Sequence, residues 1–226
     1  MRVLCLHGYH QSGPFFRKKI AGLISRFPEV EFICISSPLK IASEYLMVPP
    51  KSPNGEDVKA YTWWVTEENQ YIGLETSFRS VFHVVETQGP FDGILGFSMG
   101  ACLAGALISM FERKQLSHFR IPVHPPFRFV LFFTGFLLTH RPDFYQHIIQ
   151  TPSLHFMGNQ DYVIPNAKSE ALVRNCLEPK VVRFTGGHCI PQDEKSIAMI
   201  REFLTPFNDG QRNLSALENM PVKARI

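Results

Sequence analysis

A serine flanked by glycines constrains the fold of this chain more than any other feature of its sequence. The pentapeptide GFSMG, residues 96–100, follows an apolar run and precedes a segment rich in alanine and glycine. Glycines let a strand turn sharply into a helix that lies close to it, because larger side chains would collide there. The segment predicts a short strand over residues 91–96, a tight turn at Ser98, and a helix over residues 99–111.

Strand-like and helix-like segments alternate along the rest of the chain. Short apolar runs predict further strands at residues 3–6, 31–36, 127–133, 153–157 and 181–184. Apolar residues at helical spacing predict further helices at residues 14–27, 70–88, 166–175 and 194–203. This alternation is typical of a mostly parallel central sheet with helices on both faces, so the predicted fold class is α/β.

The length of 226 residues suits a single domain. The periodicity breaks between about residues 37 and 70, a segment we call the flap, where prolines and an Asn-Gly pair argue against regular structure. Two tryptophans at its far end favour an ordered flap, with disorder expected around residues 48–58. Periodicity is lost again near the carboxyl terminus, so we expect one domain over residues 1–205 and a tail over residues 206–226.

Composition and charge argue against nucleic acid and membrane as partners. The formal net charge is only +3, and the basic residues are scattered, unlike those of a nucleic-acid-binding domain. No stretch approaches the roughly 20 apolar residues of a membrane-spanning helix. The five cysteines form no C-x-x-C pair, so reduced thiols in the cytoplasm or the nucleus are expected. Nothing in the sequence separates a monomer from a dimer.

Ser98 in this setting predicts the nucleophile of an α/β-hydrolase fold, in which the acid and then the histidine follow in chain order. Asp161 and His188 each follow a predicted strand, which would place both at the carboxyl edge of a parallel sheet. Asp143 is a weaker acid candidate because it ends no strand. We therefore expect Ser98 to be the nucleophile, His188 the general base and Asp161 the residue that orients the histidine. Less favoured histidines are His140, His147 and His155.

A tetrahedral intermediate needs backbone N–H donors for its oxyanion. The amide of Met99 at the start of the helix should supply one donor. The second is expected from the loop after the first strand, at the amide of Tyr9 with His10 as the alternative. His7 and His10 lack further ligands at suitable spacing, so no metal site is expected, and the chemistry requires no organic cofactor.

Aromatic residues near the predicted serine turn suggest an apolar groove beneath the flap. The expected lining residues are Trp63, Trp64, Phe97, Met99 and Phe136. The alternative interpretation is that both tryptophans are core anchors, since aromatic side chains are often largely buried.

Several sequence blocks together resemble a known family, the small serine hydrolases of fungi and animals called the "family of serine hydrolases". The blocks are RVLCLHGYHQSG, WWVTEEN, GPFDGILGFSMGA, HPPFRFVLFFTGF, TPSLHFMGNQDYVIP and GGHCIP, and they run nearly the full length of the chain. By this resemblance Ser98, Asp161 and His188 fall on the family's triad. Many members carry glutamine where this chain has Met99, a change that spares the backbone donor and makes the pocket wall less polar.

The resemblance implies a carboxylesterase or thioesterase that acts on small-molecule acyl esters or thioesters through an acyl-enzyme on Ser98. Two alternatives stay open at this point. A hydrolase fold can be kept for binding without catalysis, since fold alone does not determine function. The same fold also supports amidases and peptidases.

Overall fold

Six parallel strands form the central sheet of the computed structural model, which describes residues 1–41, 60–114 and 119–208. In chain order the strands are β1 (Arg2–Leu6), β2 (Glu31–Ile35), β3 (Leu39–Lys40), β4 (Tyr61–Thr62), β5 (Val65–Glu67), β6 (Gln70–Ile72), β7 (Gly93–Phe97), β8 (Phe129–Phe133), β9 (Ser153–Gly158) and β10 (Lys180–Phe184). The helices are α1 (Gly13–Lys19), α2 (Ala21–Arg26), α3 (Leu74–Gln88), α4 (Met99–Arg113), α5 (Asn166–Arg174) and α6 (Glu194–Leu204).

The strand order across the sheet is β10-β9-β8-β7-β1-β2, and each neighbouring pair is parallel. The chain starts in β1, continues to β2 at one edge, and then returns to β7 on the other side of β1. The order therefore reverses between β1 and β7. In open α/β sheets, the crevice at such a reversal is where ligands bind, at the carboxyl ends of the strands.

Helices cover both faces of the sheet, as predicted. Leu107 of α4 and Leu172 of α5 are fully buried in the hydrophobic cluster on one face, together with α3 residues. Phe16 of α1, Leu23 of α2 and Ile200 of α6 are buried in the cluster on the other face. Strands β7, β8 and β9 are buried along their whole length, which explains the continuous apolar sequence of β7 and β8 and the mainly apolar sequence of β9. The predicted α/β class, a mostly parallel central sheet with helices on both faces, is confirmed.

The helix predicted over residues 14–27 is divided into α1 and α2 at Ile20. Gln192 lies against this break. Its side-chain oxygen accepts the N–H of Leu23 at 2.8 Å, and its amide nitrogen donates to the carbonyl oxygen of Lys19 at 3.0 Å. These bonds pair backbone groups that the break leaves outside the helical pattern.

The described part of the flap contains more regular structure than its prolines indicate. β3 pairs with β4, and β5 with β6 forms a hairpin. The helix predicted from residue 70 begins at Leu74 instead, because residues 70–72 pair with β5 and Gly73 adopts a left-handed φ of 85°. The disorder expected around residues 48–58 lies outside the described residues.

Order extends past the predicted domain end at residue 205. Residues 205–207 form a 3₁₀ turn, and the ring of Phe207 lies 5.1 Å from that of Phe129. Residues 209–226 of the expected tail lie outside the described part of the chain. Among the described helices, none combines the length and the apolar character needed to cross a bilayer.

Candidate active site

Ser98 stands at the sharp turn from β7 into α4. Its backbone has a positive φ of 55° with ψ −118°, a conformation that is rare for a residue with a side chain. The turn is held by the Ser98 N–H, which donates to the carbonyl oxygen of Phe133 at 2.8 Å. A Cβ at Gly96 would lie 2.5 Å from the Ala101 Cα, and one at Gly100 would lie 2.2 Å from the Leu6 carbonyl oxygen. The two glycines therefore permit the close approach of helix and sheet.

His188 joins Ser98 to Asp161. The Nε2 atom of His188 lies 2.8 Å from the Ser98 Oγ, and its Nδ1 atom lies 2.8 Å from the Asp161 Oδ2. Since an ionised carboxylate only accepts hydrogen bonds, this contact assigns the ring proton to Nδ1. Nε2 is then free to accept the hydroxyl proton of Ser98.

Asp161 is held on both of its oxygens. Its side chain is only 1% exposed, and its Oδ1 accepts the N–H groups of Val163 and Ile164 at 2.9 and 2.8 Å. The competing candidate, Asp143, instead makes a two-bond ion pair with Arg141, at 2.8 and 2.7 Å. The structure therefore brings Asp161, and not Asp143, to the histidine.

The loops that carry Asp161 and His188 are joined through their backbones. The N–H of Asn159 donates to the carbonyl oxygen of Phe184, and the N–H of Gln160 donates to that of Gly186, both at 2.9 Å. A Cβ at Gly158 would lie 2.6 Å from the Gly186 carbonyl oxygen. This close contact fixes the acid loop beside the histidine loop.

The residues expected to hold an oxyanion, Met99 and Tyr9, line the same cavity as Ser98. Met99 is the first residue of α4, so its N–H has no partner within the helix. No hydrogen bond between described residues uses the N–H of Met99 or of Tyr9. The alternative donor, His10, has a left-handed φ of 61° and is absent from the cavity lining.

His7 shapes the loop that carries Tyr9. Its Nε2 accepts the Ser37 N–H at 3.0 Å and its Nδ1 lies 2.7 Å from the Gly8 carbonyl oxygen. Burial lowers the pKa of His7 to about 4, so the ring is neutral and Nδ1 is the donor. Within the described ranges, no group of three or more His, Cys, Asp or Glu side chains is arranged to hold a metal ion.

Ser98 opens onto a cavity of about 570 Å³. Three residues predicted to bind substrate, Trp64, Met99 and Phe136, line it. Trp63 and Phe97 do not, which corrects that part of the prediction. Trp63 is fully buried, and its Nε1 donates to the His7 carbonyl oxygen at 2.8 Å. It is therefore a core anchor that supports the Tyr9 loop.

The cavity also has walls that the sequence analysis missed. They come from the β5–β6 hairpin, the loop after β8, and the segment from the acid loop into α5: Thr66, Tyr71, Leu137, Thr139, His140, Val163, Ile164, Ala167, Lys168 and Ala171. The segment after Asp161 carried a usable signal, because it follows a predicted strand at the carboxyl edge of the sheet. The hairpin carried no comparable signal.

Solved structures with this fold include esterases and thioesterases. Acyl-protein thioesterase 2 of Zea mays superimposes with a TM-score of 0.61 at 20% identity, covering 91% of this chain and 92% of the other. Esterase PE8 gives a TM-score of 0.60 at 21% identity, covering 90% and 92%. Likeness at this level of identity establishes the fold.

Relatives found by sequence comparison share a higher percentage of identical residues with this chain. Esterase OVCA2 of Danio rerio is 31% identical over an alignment of 227 positions, which covers 92% of this chain and 97% of the relative. Esterase CG5412 of Drosophila melanogaster is 32% identical over 206 residues, covering 84% and 68%. A dihydrofolate reductase of Schizosaccharomyces pombe is 32% identical over an alignment of 225 positions, which covers 90% of this chain but only 47% of that longer protein. The sequence model of the family described as "Serine hydrolase (FSH1)" matches residues 1–200 of this chain. The chain therefore belongs to the FSH1 family of serine hydrolases, within the α/β-hydrolase fold.

Proposed function

We propose that this hydrolase cleaves carboxylic esters or thioesters of acyl chains through an acyl-enzyme on Ser98. The observation that carries the proposal is the unbroken hydrogen-bonded chain from Ser98 through His188 to Asp161, with the serine at the wall of a cavity. A serine hydroxyl is a weak nucleophile at neutral pH, and an adjacent base held by a third group is what activates it.

In the first half of the cycle, Ser98 Oγ attacks the acyl carbonyl carbon while His188 Nε2 takes the hydroxyl proton. The negative charge that develops on the carbonyl oxygen is stabilised by the N–H groups of Met99 and Tyr9, and one such donor contributes about 2.7–4 kcal/mol. Collapse of this intermediate breaks the bond to the leaving alcohol or thiol, which receives the proton from His188. Asp161 stabilises the positive imidazole and keeps its tautomer.

In the second half, water attacks the acyl-enzyme and gives a proton to His188. The tetrahedral species then releases the carboxylic acid and returns the proton to Ser98. Every proton transfer in the cycle uses the Nε2 of His188, which explains why this atom has to remain free of other partners.

Two observations support an acyl substrate. Much of the cavity wall is apolar, and its apolar residues include Trp64, Met99, Phe136, Val163 and Ile164. Apolar walls suit an alkyl chain. The sequence relatives named above also include esterases, and one of the structural neighbours is an acyl-protein thioesterase.

A matched series of substrates tests the proposal. Hydrolysis rates would be measured for 4-nitrophenyl acetate, hexanoate and decanoate, for a hexanoyl thioester, and for hexanoyl 4-nitroanilide. We expect turnover of esters and thioester, an increase from acetate to hexanoate, and little turnover of the anilide. Ser98→Ala and His188→Ala should each lose about 10⁶ in turnover, and the double variant little more. Faster cleavage of the anilide than of the ester would point to an amidase, and no turnover of any substrate would point to a binding module.

We further propose a reducing compartment, the cytoplasm or the nucleus, as the site of action. All five cysteines are free thiols, which is usual in reducing compartments. Cell fractionation with an antibody to the native protein tests this, and recovery in a secreted fraction would contradict it.

A further inference from the structure

Among the described residues, the cavity beside Ser98 is lined by basic side chains but by no acidic ones. Two of the lining residues, Lys168 and His140, can carry a positive charge, and the lining contains neither aspartate nor glutamate. These two residues come from different segments, Lys168 from α5 and His140 from the loop after β8. An otherwise largely apolar cavity thus carries positive charge without a matching carboxylate in its wall.

Lys168 is not neutralised by its neighbours. It lies in the first turn of α5, where its N–H donates to the Pro165 carbonyl oxygen at 2.8 Å. The acidic residue of the same helix, Glu170, is bonded to Arg183 at 2.7 Å and lies 4.0 Å from Arg174. No ion pair between described residues includes Lys168. Its ammonium group is therefore available to a ligand.

Two hydroxyl groups in the cavity lining, Tyr71 of the hairpin and Thr139 of the loop after β8, can also donate hydrogen bonds. The Tyr71 hydroxyl oxygen accepts the His140 N–H at 3.3 Å, which leaves its own O–H to donate. The neighbouring Thr139 Oγ1 lies 3.4 Å from that oxygen, a long contact that a ligand oxygen could replace. A carboxylate or phosphate accepts hydrogen bonds and donates none, so it matches this set of groups.

We propose that the substrate carries an anionic group, a carboxylate or a phosphate, that binds Lys168, with Tyr71 and Thr139 as further donors. This inference rests on the proposed esterase or thioesterase function and narrows its substrate class. The negative charge can sit on the acyl side, as in the half-ester of a dicarboxylic acid. It can also sit on the leaving group, as in a thioester of a phosphate-bearing thiol.

Two matched substrate pairs separate these sources. On the acyl side, mono-4-nitrophenyl adipate is compared with 4-nitrophenyl hexanoate, which has the same chain length and no carboxylate. On the leaving-group side, hexanoyl-coenzyme A is compared with hexanoyl-N-acetylcysteamine, which lacks the phosphates. We expect a preference in kcat/KM of roughly tenfold for the anionic member of one pair, the size of a charge-assisted hydrogen bond. The preference should shrink as NaCl is raised toward 1 M.

Variants assign the preference to Lys168. Lys168→Met should remove most of the preference, and Lys168→Arg should retain it. Lys195→Met is the matched control, because Lys195 is an exposed lysine of α6 outside the cavity lining, and it should leave the preference intact. Equal rates within both pairs, or a preference that survives Lys168→Met, would overturn the inference. If the wild-type protein cleaves the neutral members, the proposed function stands whatever the outcome for the anionic ones.

Discussion

The ring of Phe97 lies 5.0 Å, centroid to centroid, from the imidazole of His188 and is tilted by 39° to it. Phe97 is almost completely buried, stacks on Phe16, and has the Lys19 ammonium 4.1 Å from its ring centre. Phe97, which precedes the nucleophile in the pentapeptide, therefore packs against the ring of the base and does not line the cavity. We interpret it as a positioning residue for His188.

Phe97→Leu should lower kcat and leave KM nearly unchanged, because the smaller side chain supports the imidazole less well without altering the cavity wall. The free energy of unfolding should fall by about 1.5 kcal/mol or less for this change between large apolar side chains. Steady-state kinetics with 4-nitrophenyl hexanoate and urea unfolding measure the two effects.

Phe129→Leu is the matched control, since Phe129 is buried in the same cluster but packs near Phe203 and Phe207. It should lose similar stability and keep its kcat. A rise in KM for Phe97→Leu with an unchanged kcat would mean that Phe97 contacts the substrate, as the sequence had suggested.

Substitution of the two candidate acids, Asp161 and Asp143, should have opposite effects on activity. Asp161→Asn should lower kcat by about 10⁴, because the side-chain amide favours the wrong tautomer of His188. Asp143→Asn should retain activity close to the wild-type level, since Asp143 is bonded to Arg141. Initial rates of both variants with one ester decide the assignment. Loss of activity in Asp143→Asn alone would reverse it.

Two glycines of α4 should respond differently to alanine. A Cβ at Gly100 would meet the Leu6 backbone oxygen at 2.2 Å, whereas one at Gly105 would meet the Leu172 Cδ1, a side-chain atom, at 3.2 Å. Gly100→Ala should therefore lose about 3 kcal/mol or more of stability. Gly105→Ala should change it by less than about 1 kcal/mol, because better helix propensity offsets a tight contact. Urea unfolding at pH 7 compares them, and equal losses would contradict the packing described for the turn.

Buried histidines should make the fold sensitive to acid. Burial lowers the pKa of His7 and His124 to about 4 and that of His155 to about 3, from an ordinary value of 6.5. Below about pH 6.5 the unfolded chain takes up protons that the folded chain refuses, so stability falls as the pH falls. Each such histidine should cost about 2 kcal/mol between pH 7 and pH 5.

His155→Phe tests this dependence at one site. His155 lies within β9 and is buried, and its Nε2 atom is 3.1 Å from the Ser153 Oγ. The variant should lose less stability than the wild type on going from pH 7 to pH 5, by about 2 kcal/mol. Urea unfolding at the two pH values measures the difference, and an unchanged pH dependence would contradict the account.

Much of the fold could be predicted because local signals and tertiary structure agree there. The apolar runs of β7 and β8 and the mainly apolar run of β9 indicated buried parallel strands. Glycine is required at residues 96 and 100 because a Cβ there would lie 2.2 to 2.5 Å from neighbouring backbone atoms. The chain order of Ser98, Asp161 and His188 also limited the choice of partners. These residues lie at strand ends, so predicting the strands was enough to place them at one edge of the sheet.

The remaining features depend on contacts between distant segments. The β5 and β6 strands have three residues each, too few for a period-2 pattern to be recognised. The break at Ile20 is supported by Gln192, more than 160 residues away. Hydrophobicity alone could not separate Trp64, which lines the cavity, from Trp63, which is a core anchor, because both are aromatic and both are buried.

Labelling with a fluorophosphonate, followed by intact-mass and peptide mass spectrometry, tests the central claim most directly. A fluorophosphonate reacts with a serine only when a neighbouring base activates it. We predict one adduct per wild-type chain, on Ser98, with labelling abolished in Ser98→Ala and strongly slowed in His188→Ala. An unlabelled but folded wild-type protein, or an adduct on another residue, would contradict the account.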